Sequence, residues 1–109
     1  MKFRLSELAK SDLDDARAYT IETWGRDQWL RYFRRLIAGF ERIEANPDAG
    51  RDRSDFLPGM RSVAVERHVV FYWAFGPDVV ILRVVHQRRD MAAMGFEGLG
   101  LELGKNEAH

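Results

Sequence analysis

Apolar residues recur at helical spacing in the first half of the chain and at strand spacing in the second half. One stripe follows separations of three, four and seven positions and contains Trp29, Phe33, Leu36, Phe40 and Ile43, with Arg31, Arg35 and Arg42 on the opposite side. This pattern predicts an amphipathic helix. Asp27 is its expected cap, and Asn46-Pro47 ends it after about Ala45.

A second helical pattern precedes that stripe. Ser6 offers an N-cap for a helix that runs to about Trp24, and Gly25 separates it from the next helix. Its stripe, Ala9, Leu13, Ala16 and Thr20, has three small side chains and therefore predicts a closely packed neighbouring helix. The two helices should form an antiparallel hairpin, with Trp24 and Trp29 as packing residues at its turn.

Strand patterns flank the helical hairpin. Residues 2–5 alternate between polar and apolar, which is enough for a short edge strand. Three further strands are predicted at Met60–Val65, His68–Phe75 and Val79–His86, with turns at Glu66-Arg67 and Gly76-Pro77-Asp78. Pro47–Gly59 shows no periodicity and is predicted to be a loop. The fold class is therefore α+β: an N-terminal strand, a helical hairpin and a three-strand antiparallel meander.

The last predicted strand carries a charge in an apolar run. Strict alternation puts Val80, Leu82, Val84 and His86 on one face, and Val79, Ile81, Arg83 and Val85 on the other. Both faces are largely apolar, which is typical of a strand covered on both sides. Helices should cover one face, and a partner chain is a candidate for the other. Arg83 needs a partner of its own, because an unpaired buried guanidinium is costly.

Composition limits the protein to a small domain without obvious cofactor chemistry. Its 109 residues suit one domain, with a core in residues 1–90 and a tail in residues 91–109 that is either docked or mobile. Lys and Arg total 17, as do Asp and Glu, so no basic field points to nucleic acid. The chain contains no Cys, shows no His ligand spacing and has no run of membrane-spanning length. We expect a cytoplasmic protein without a metal or cofactor.

Several short motifs along the chain resemble the RelE/ParE toxin superfamily. They are Asp12-Leu13, Tyr19, Trp24-Gly25, Tyr32, Asn46-Pro47, Gly50-Arg51, Pro58–Ser62, His68–Tyr72 and Ile81–Asp90. Their order and spacing match the ParE branch most closely. The resemblance implies a RelE-like fold and a toxin of a type II toxin–antitoxin pair, which binds a cognate, ParD-like antitoxin as a hetero-oligomer. The predicted antitoxin contacts are Trp73, Val80, Leu82 and Val84.

The branch of the superfamily decides the expected action. ParE members are understood to poison DNA gyrase without catalysis, so no catalytic residue is favoured and no sequence-specific DNA binding is expected. RelE members cleave messenger RNA on the ribosome, and in that alternative Arg61, Arg83 and His86 form the catalytic set. The chain has no Tyr after Tyr72 and few Lys, whereas RelE-like enzymes carry a late aromatic base and several Lys. This difference favours the gyrase-directed toxin.

Each member of that catalytic set also has a structural interpretation. Arg83 is expected to form an ion pair with an Asp or Glu of the core. Arg61 is expected to anchor the preceding loop through Asp52 or Asp55. His86 is the only candidate acid or base near a strand end, but it lacks a second titrating partner in the sequence.

Overall fold

A computed structural model describes residues 3–88 of the chain. Its elements, in chain order, are β1 Phe3–Leu5, α1 Glu7–Trp24, α2 Arg26–Ala45, a 3₁₀ turn Pro47–Ala49, β2 Arg51–Asp52, β3 Arg61–Val65, β4 His68–Phe75 and β5 Asp78–His86. The strands form one sheet in the order β1-β5-β4-β3-β2. β1 is parallel to β5, and the other pairs are antiparallel. The predicted edge strand, helical hairpin and meander are confirmed, whereas the tail in residues 91–109 lies outside the described residues.

The segment predicted as a loop carries two short elements. Tyr72 explains why this segment is ordered, because its phenol donates to the Pro47 carbonyl at 2.5 Å and accepts from the Gly50 amide at 3.1 Å. Those bonds bring the chain to the edge of β3, where Arg51 and Asp52 pair with Ser62 and Arg61. The loop prediction was wrong here, because a buried side chain from a distant strand organises a segment that has no periodicity.

Tyr72→Phe tests that anchor. The change keeps the ring in the core but removes the hydroxyl, leaving the Pro47 carbonyl and the Gly50 amide without that partner. We expect the free energy of unfolding to fall by about 1–2 kcal/mol, as for other buried groups that lose a hydrogen bond. Urea denaturation measures the change. Tyr19→Phe is the matched control, because the Tyr19 side chain is exposed.

The helix ends show how the hairpin is joined. Ser6 caps α1 as predicted, since its Oγ accepts from the Ala9 amide at 3.0 Å. The predicted cap of α2 was wrong: the helix begins at Arg26, directly after Gly25, and Asp27 lies in its first turn. Gly25 has a φ of +95°, a conformation that other residues rarely adopt, so the link between the helices is a single residue.

The helical hairpin covers one face of the sheet. The buried residues there include Leu13 of α1, Leu36, Phe40 and Ile43 of α2, and Val70, Tyr72 and Ile81 of the sheet. The predicted stripe of α2 is thus the core face, although Phe33 is only half-buried. Arg31, Arg35 and Arg42 are exposed, as predicted.

The chain itself covers much of the second face. Met60, Phe71, Val80, Leu82 and Val85 form a second buried cluster, against which Phe56 and Leu57 pack. The guanidinium of Arg53 lies 4.7 Å from the centre of the Phe56 ring. The segment between β2 and β3 therefore supplies a cover for which the sequence pattern had suggested a partner chain.

A β-bulge in β5 changes the predicted alternation. Tyr72 pairs with Ile81, but Phe71 pairs with Arg83, so Leu82 is an extra residue on β5. Val84 consequently lies in the helix-side cluster with Ile81, while Val85 lies in the second cluster with Leu82. The strict alternation was wrong beyond Leu82, because apolar residues occupy both faces and sequence alone gives no sign of the shift.

Candidate functional site

Where β1 ends, residues at the start of α1 form hydrogen bonds with the edge of β5. Ser6 donates from its backbone N–H to the Ile81 carbonyl at 2.9 Å and from its Oγ to the Leu82 carbonyl at 2.7 Å. Asp12 Oδ2 accepts from the Val84 amide at 2.9 Å. These contacts fix the first half of α1 against β5. Beyond Val84, the end of β5 borders a groove instead of a strand.

This groove has a volume of about 760 Å³ and lies between the two helices, the start of β4 and the end of β5. Its lining includes Tyr19, Trp24, Gln28, Tyr32, His68 and His86. Tyr19 and Trp24 are 66% and 67% exposed, so they offer aromatic surface that the chain leaves uncovered. In residues 3–88, Leu30 is the other large hydrophobic residue that is exposed. The concave shape and exposed aromatic rings are typical of a site that binds another molecule.

Small residues of α1 line one wall of the groove. Ala16 and Thr20, which the sequence pattern assigned to a packed helix interface, line the groove instead. Only Ala9 and Leu13 of that stripe are buried. Trp24, likewise expected to pack at the hairpin turn, points its exposed ring into the same region. The sequence pattern missed the site because small and aromatic residues at helical spacing also occur in helix interfaces.

Two histidines and a tyrosine form the strand end of the groove. His68 and His86 are directly opposite each other on β4 and β5, and their ring centres are 5.5 Å apart. The Tyr32 hydroxyl lies 2.5 Å from His68 Nδ1. Burial, together with a smaller effect of the neighbouring His86, lowers the pKa of His68 to about 4. His68 is therefore neutral near pH 7, while burial raises the pKa of Tyr32 and keeps its phenol protonated.

Arg83 has the core ion pair that its position required. Its Nε and Nη2 donate to the two carboxylate oxygens of Asp12 at 2.8 and 2.9 Å. Both side chains are only 9% exposed. The pair confirms the structural interpretation of Arg83, and the sequence did not identify Asp12 as the partner because the two residues are distant in the chain.

Arg61 anchors the preceding loop, but through other groups than predicted. Its Nη1 donates to the backbone carbonyls of Asp48 and Gly50 at 3.2 and 2.9 Å. Asp55 instead lies 3.7 Å from Arg53. Asp52 Oδ1 accepts from Ser54. The loop-anchoring role is therefore confirmed, whereas the direct carboxylate partners were wrong.

Arg61, Arg83 and His86 do not converge on one point. Arg61 pairs with Tyr72, whereas His86 pairs with His68, four positions along the same strand. Four residues of strand span about 13 Å, and β3 and β5 are two strand spacings, or about 10 Å, apart. The guanidinium of Arg83 is already bound by Asp12. Sheet register thus separates the three residues that the ribonuclease alternative requires together.

The residues predicted to contact an antitoxin lie outside the groove, with the exception of Val84. Val80, Leu82 and Val84 are 5%, 0% and 2% exposed, so their side chains are interior ones. Trp73 is half-buried, and its ring centre lies 4.9 Å from that of Phe75. Val84 borders the groove with little exposed surface. Exposed aromatic surface instead concentrates at Tyr19 and Trp24.

Comparison with known families shows which proteins this chain is similar to in sequence. Residues 3–91 match the family described as the ParE toxin of the type II toxin–antitoxin system parDE. The chain belongs to the ParE toxin family. Toxin ParE1 of Caulobacter vibrioides is 41% identical over 91 residues, which cover 84% of this chain and 94% of that protein. Toxin ParE1 of Mycobacterium tuberculosis is 34% identical over 91 residues, which cover 83% of this chain and 93% of that protein.

A solved structure agrees with this ParE assignment at the level of the fold. It is described as the chromosomal ParDE TA system from P. aeruginosa, and it superposes with a TM-score of 0.67 at 19% sequence identity. The match covers 79% of this chain and 95% of the other. The predicted RelE-like α+β fold is confirmed.

Two further findings concern the described residues of this ParE-family chain. In residues 3–88, no group of three or more His, Cys, Asp or Glu is arranged to hold a metal ion. Among the helices in that range, neither has the length and apolar character needed to cross a membrane.

Proposed function

We propose that this ParE-family chain arrests bacterial growth by binding and poisoning DNA gyrase, and that an antitoxin neutralises it by occupying the groove. The observation that carries the antitoxin part is the pair of exposed aromatic rings, Tyr19 and Trp24, on the wall of a 760 Å³ groove. The gyrase part rests on family membership, because residues 3–91 match the ParE toxin family.

The groove suits a segment of another protein. Aromatic side chains supply much of the binding energy in protein interfaces, since they bury a large apolar area with few rotatable bonds. The wall of α1 offers two such rings, and the opposite side ends at β5, which β1 does not follow beyond Ile81. An amphipathic helix or an extended segment of the antitoxin fits such a surface.

A non-catalytic action agrees best with the arrangement of the charged residues. A ribonuclease needs groups that stabilise charge on the scissile phosphate and a group that transfers a proton, all within reach of one substrate. In this chain Asp12 neutralises Arg83, backbone carbonyls bind Arg61, and His86 lies on a different strand end. We therefore propose inhibition by binding, with gyrase as the target.

Purified toxin tested on two targets distinguishes these functions. We expect inhibition of gyrase supercoiling with accumulation of cleaved DNA, and no cleavage of messenger RNA on translating ribosomes. Addition of the protein encoded by the neighbouring reading frame should restore supercoiling. Cleavage of messenger RNA without an effect on gyrase would reverse the assignment. Folded toxin that affects neither target would leave only a binding role.

Trp24→Ala tests the groove as the antitoxin site. Because the ring is exposed in the free toxin and becomes buried in the proposed complex, we expect the dissociation constant to rise about 30-fold or more, the range of interface hot spots. Leu30→Ala is the matched control, since Leu30 is an exposed hydrophobic residue outside the groove lining. Isothermal calorimetry with the neighbouring gene product measures both. Equal effects of the two changes would place the antitoxin elsewhere.

A further inference from the structure

His86 presents a defined hydrogen-bond donor to the groove. The backbone N–H of Arg88 donates to His86 Nδ1 at 3.2 Å, so this nitrogen acts as an acceptor and carries no hydrogen. The neutral ring must then carry its hydrogen on Nε2. Because the ring is exposed and lines the groove, the Nε2–H group is available to a ligand.

His68 is arranged in the same way by a different contact. The Tyr32 oxygen accepts from the Arg67 backbone N–H at 3.1 Å, and it lies 2.5 Å from His68 Nδ1. We assign the Tyr32 hydroxyl as the donor in that short contact, because among the described residues His68 Nδ1 is the acceptor within its reach. This assignment also leaves the hydrogen of His68 on Nε2. Within residues 3–88, neither Nε2 atom has a hydrogen-bond partner.

Positive charge collects at the same end of the groove. Arg67 and Arg88 both line it, and neither forms an ion pair with a described residue. The acidic groups of the lining are engaged or lie on the opposite wall: Glu66 is 3.9 Å from Arg35, Arg83 binds Asp12, and Asp15 belongs to α1. Two imidazole N–H groups and two guanidinium groups that have no ion pair within residues 3–88 thus border one end of a groove whose other end is aromatic.

We propose that this end of the groove, formed by His68, His86, Arg67 and Arg88, binds a carboxylate side chain of the antitoxin. The inference rests on the proposed function and adds the chemical character of the antitoxin segment. That segment places an Asp or Glu at the two imidazoles and apolar side chains against Tyr19 and Trp24. A carboxylate accepts several hydrogen bonds at once, and hydrogen bonds in which one partner is charged are stronger than those between two neutral groups.

Two changes on the toxin test the carboxylate site in complex with the neighbouring gene product. Arg88→Gln and His86→Ala should each raise the dissociation constant about 10-fold or more, the usual effect of losing a hydrogen bond to a charged group. His86→Gln keeps an N–H donor and should recover part of that loss. Arg51→Gln is the matched control, because β2 lies at the opposite edge of the sheet. Unchanged affinity in both Arg88→Gln and His86→Ala overturns the proposal.

A scan of the antitoxin identifies the chemistry of the bound group. Each Asp and Glu is changed to its amide, alone and together with toxin Arg88→Gln. One antitoxin change should match the effect of Arg88→Gln, and the pair should cost clearly less than the sum of the two. If every pair is additive, a backbone carbonyl or another group occupies the site and the carboxylate is wrong, while antitoxin binding still stands. If no complex forms with the unmodified toxin, both proposals fail.

Discussion

Asp12→Asn is expected to lower the free energy of unfolding by about 3–5 kcal/mol, the cost of removing one partner from a buried ion pair. Arg83 would keep its charge at 9% exposure with a neutral partner, and the Val84 amide would exchange a carboxylate acceptor for a weaker one. A domain of this size is stabilised by only about 5–15 kcal/mol. The melting temperature should therefore fall by roughly 12 °C or more. Urea denaturation measures the free energy of unfolding, and thermal denaturation measures the melting temperature.

Asp14→Asn is the matched control for the lost charge. Asp14 lies on the same helix with an exposed side chain, so its replacement should change stability by about 0.5 kcal/mol or less. Arg83→Met and the double variant complete a thermodynamic cycle. The double variant should be less destabilised than the sum of the single ones, because each single variant leaves one buried charge without its partner and the double variant leaves none. If Asp12→Asn costs no more than Asp14→Asn, the ion pair does not hold α1 to β5.

Arg83 illustrates what sequence alone predicts about this site. A charge within an apolar strand must have a partner, so the existence of an ion pair follows from the cost of burying a guanidinium. The identity of the partner does not follow, because Asp12 is one of several acidic residues on a helix whose orientation depends on the fold. The contact between Ser6 and Leu82 fixes that orientation, and it joins residues 76 positions apart.

Local patterns predicted the helices and strands but not their irregularities. Periodicity located α2 and its core face, because an amphipathic stripe has one stable way to pack on a sheet. The bulge at Leu82 left no such signal, since apolar residues on both faces tolerate a change of register. The short strand Arg51–Asp52 depends on the phenol of Tyr72, a contact between distant residues. Tertiary contacts, not propensity, decide these features.

The groove itself was the least predictable feature. Tyr19, Trp24 and Tyr32 belong to helices in which aromatic residues ordinarily pack inside, so their surface location depends on where the hairpin ends relative to the sheet. His68 appeared in the sequence as an isolated strand residue. Its contacts with Tyr32 and His86 arise only when α2, β4 and β5 come together.

The neutral state of His68 should make the folded protein sensitive to acid. Its pKa is lowered from 6.5 to about 4 in the folded state, chiefly by burial and further by His86. Between these values the unfolded chain binds the proton and the folded chain does not, so stability falls as the pH drops from about 6.5 to 4. At pH 4 a pKa change of this size corresponds to at most about 3 kcal/mol, and solvent screening of the partly exposed ring reduces this to roughly 2–3 kcal/mol. Above about pH 7 neither state is protonated there, and His68 contributes no pH dependence.

The His68→Asn variant separates this effect from the titration of carboxylates. Asn does not titrate, and its side-chain oxygen can accept from the Tyr32 hydroxyl in place of Nδ1. Urea denaturation of both proteins at pH 7.5, 5.5 and 4.5 should therefore give a wild-type curve that falls more steeply toward acid. The difference between the two proteins should shrink by about 2 kcal/mol or reverse by pH 4.5, because only the wild type then has to exclude a proton from a buried imidazole. Parallel curves would mean that His68 takes up its proton in the folded state as readily as in the unfolded one, and that burial does not hold the ring neutral.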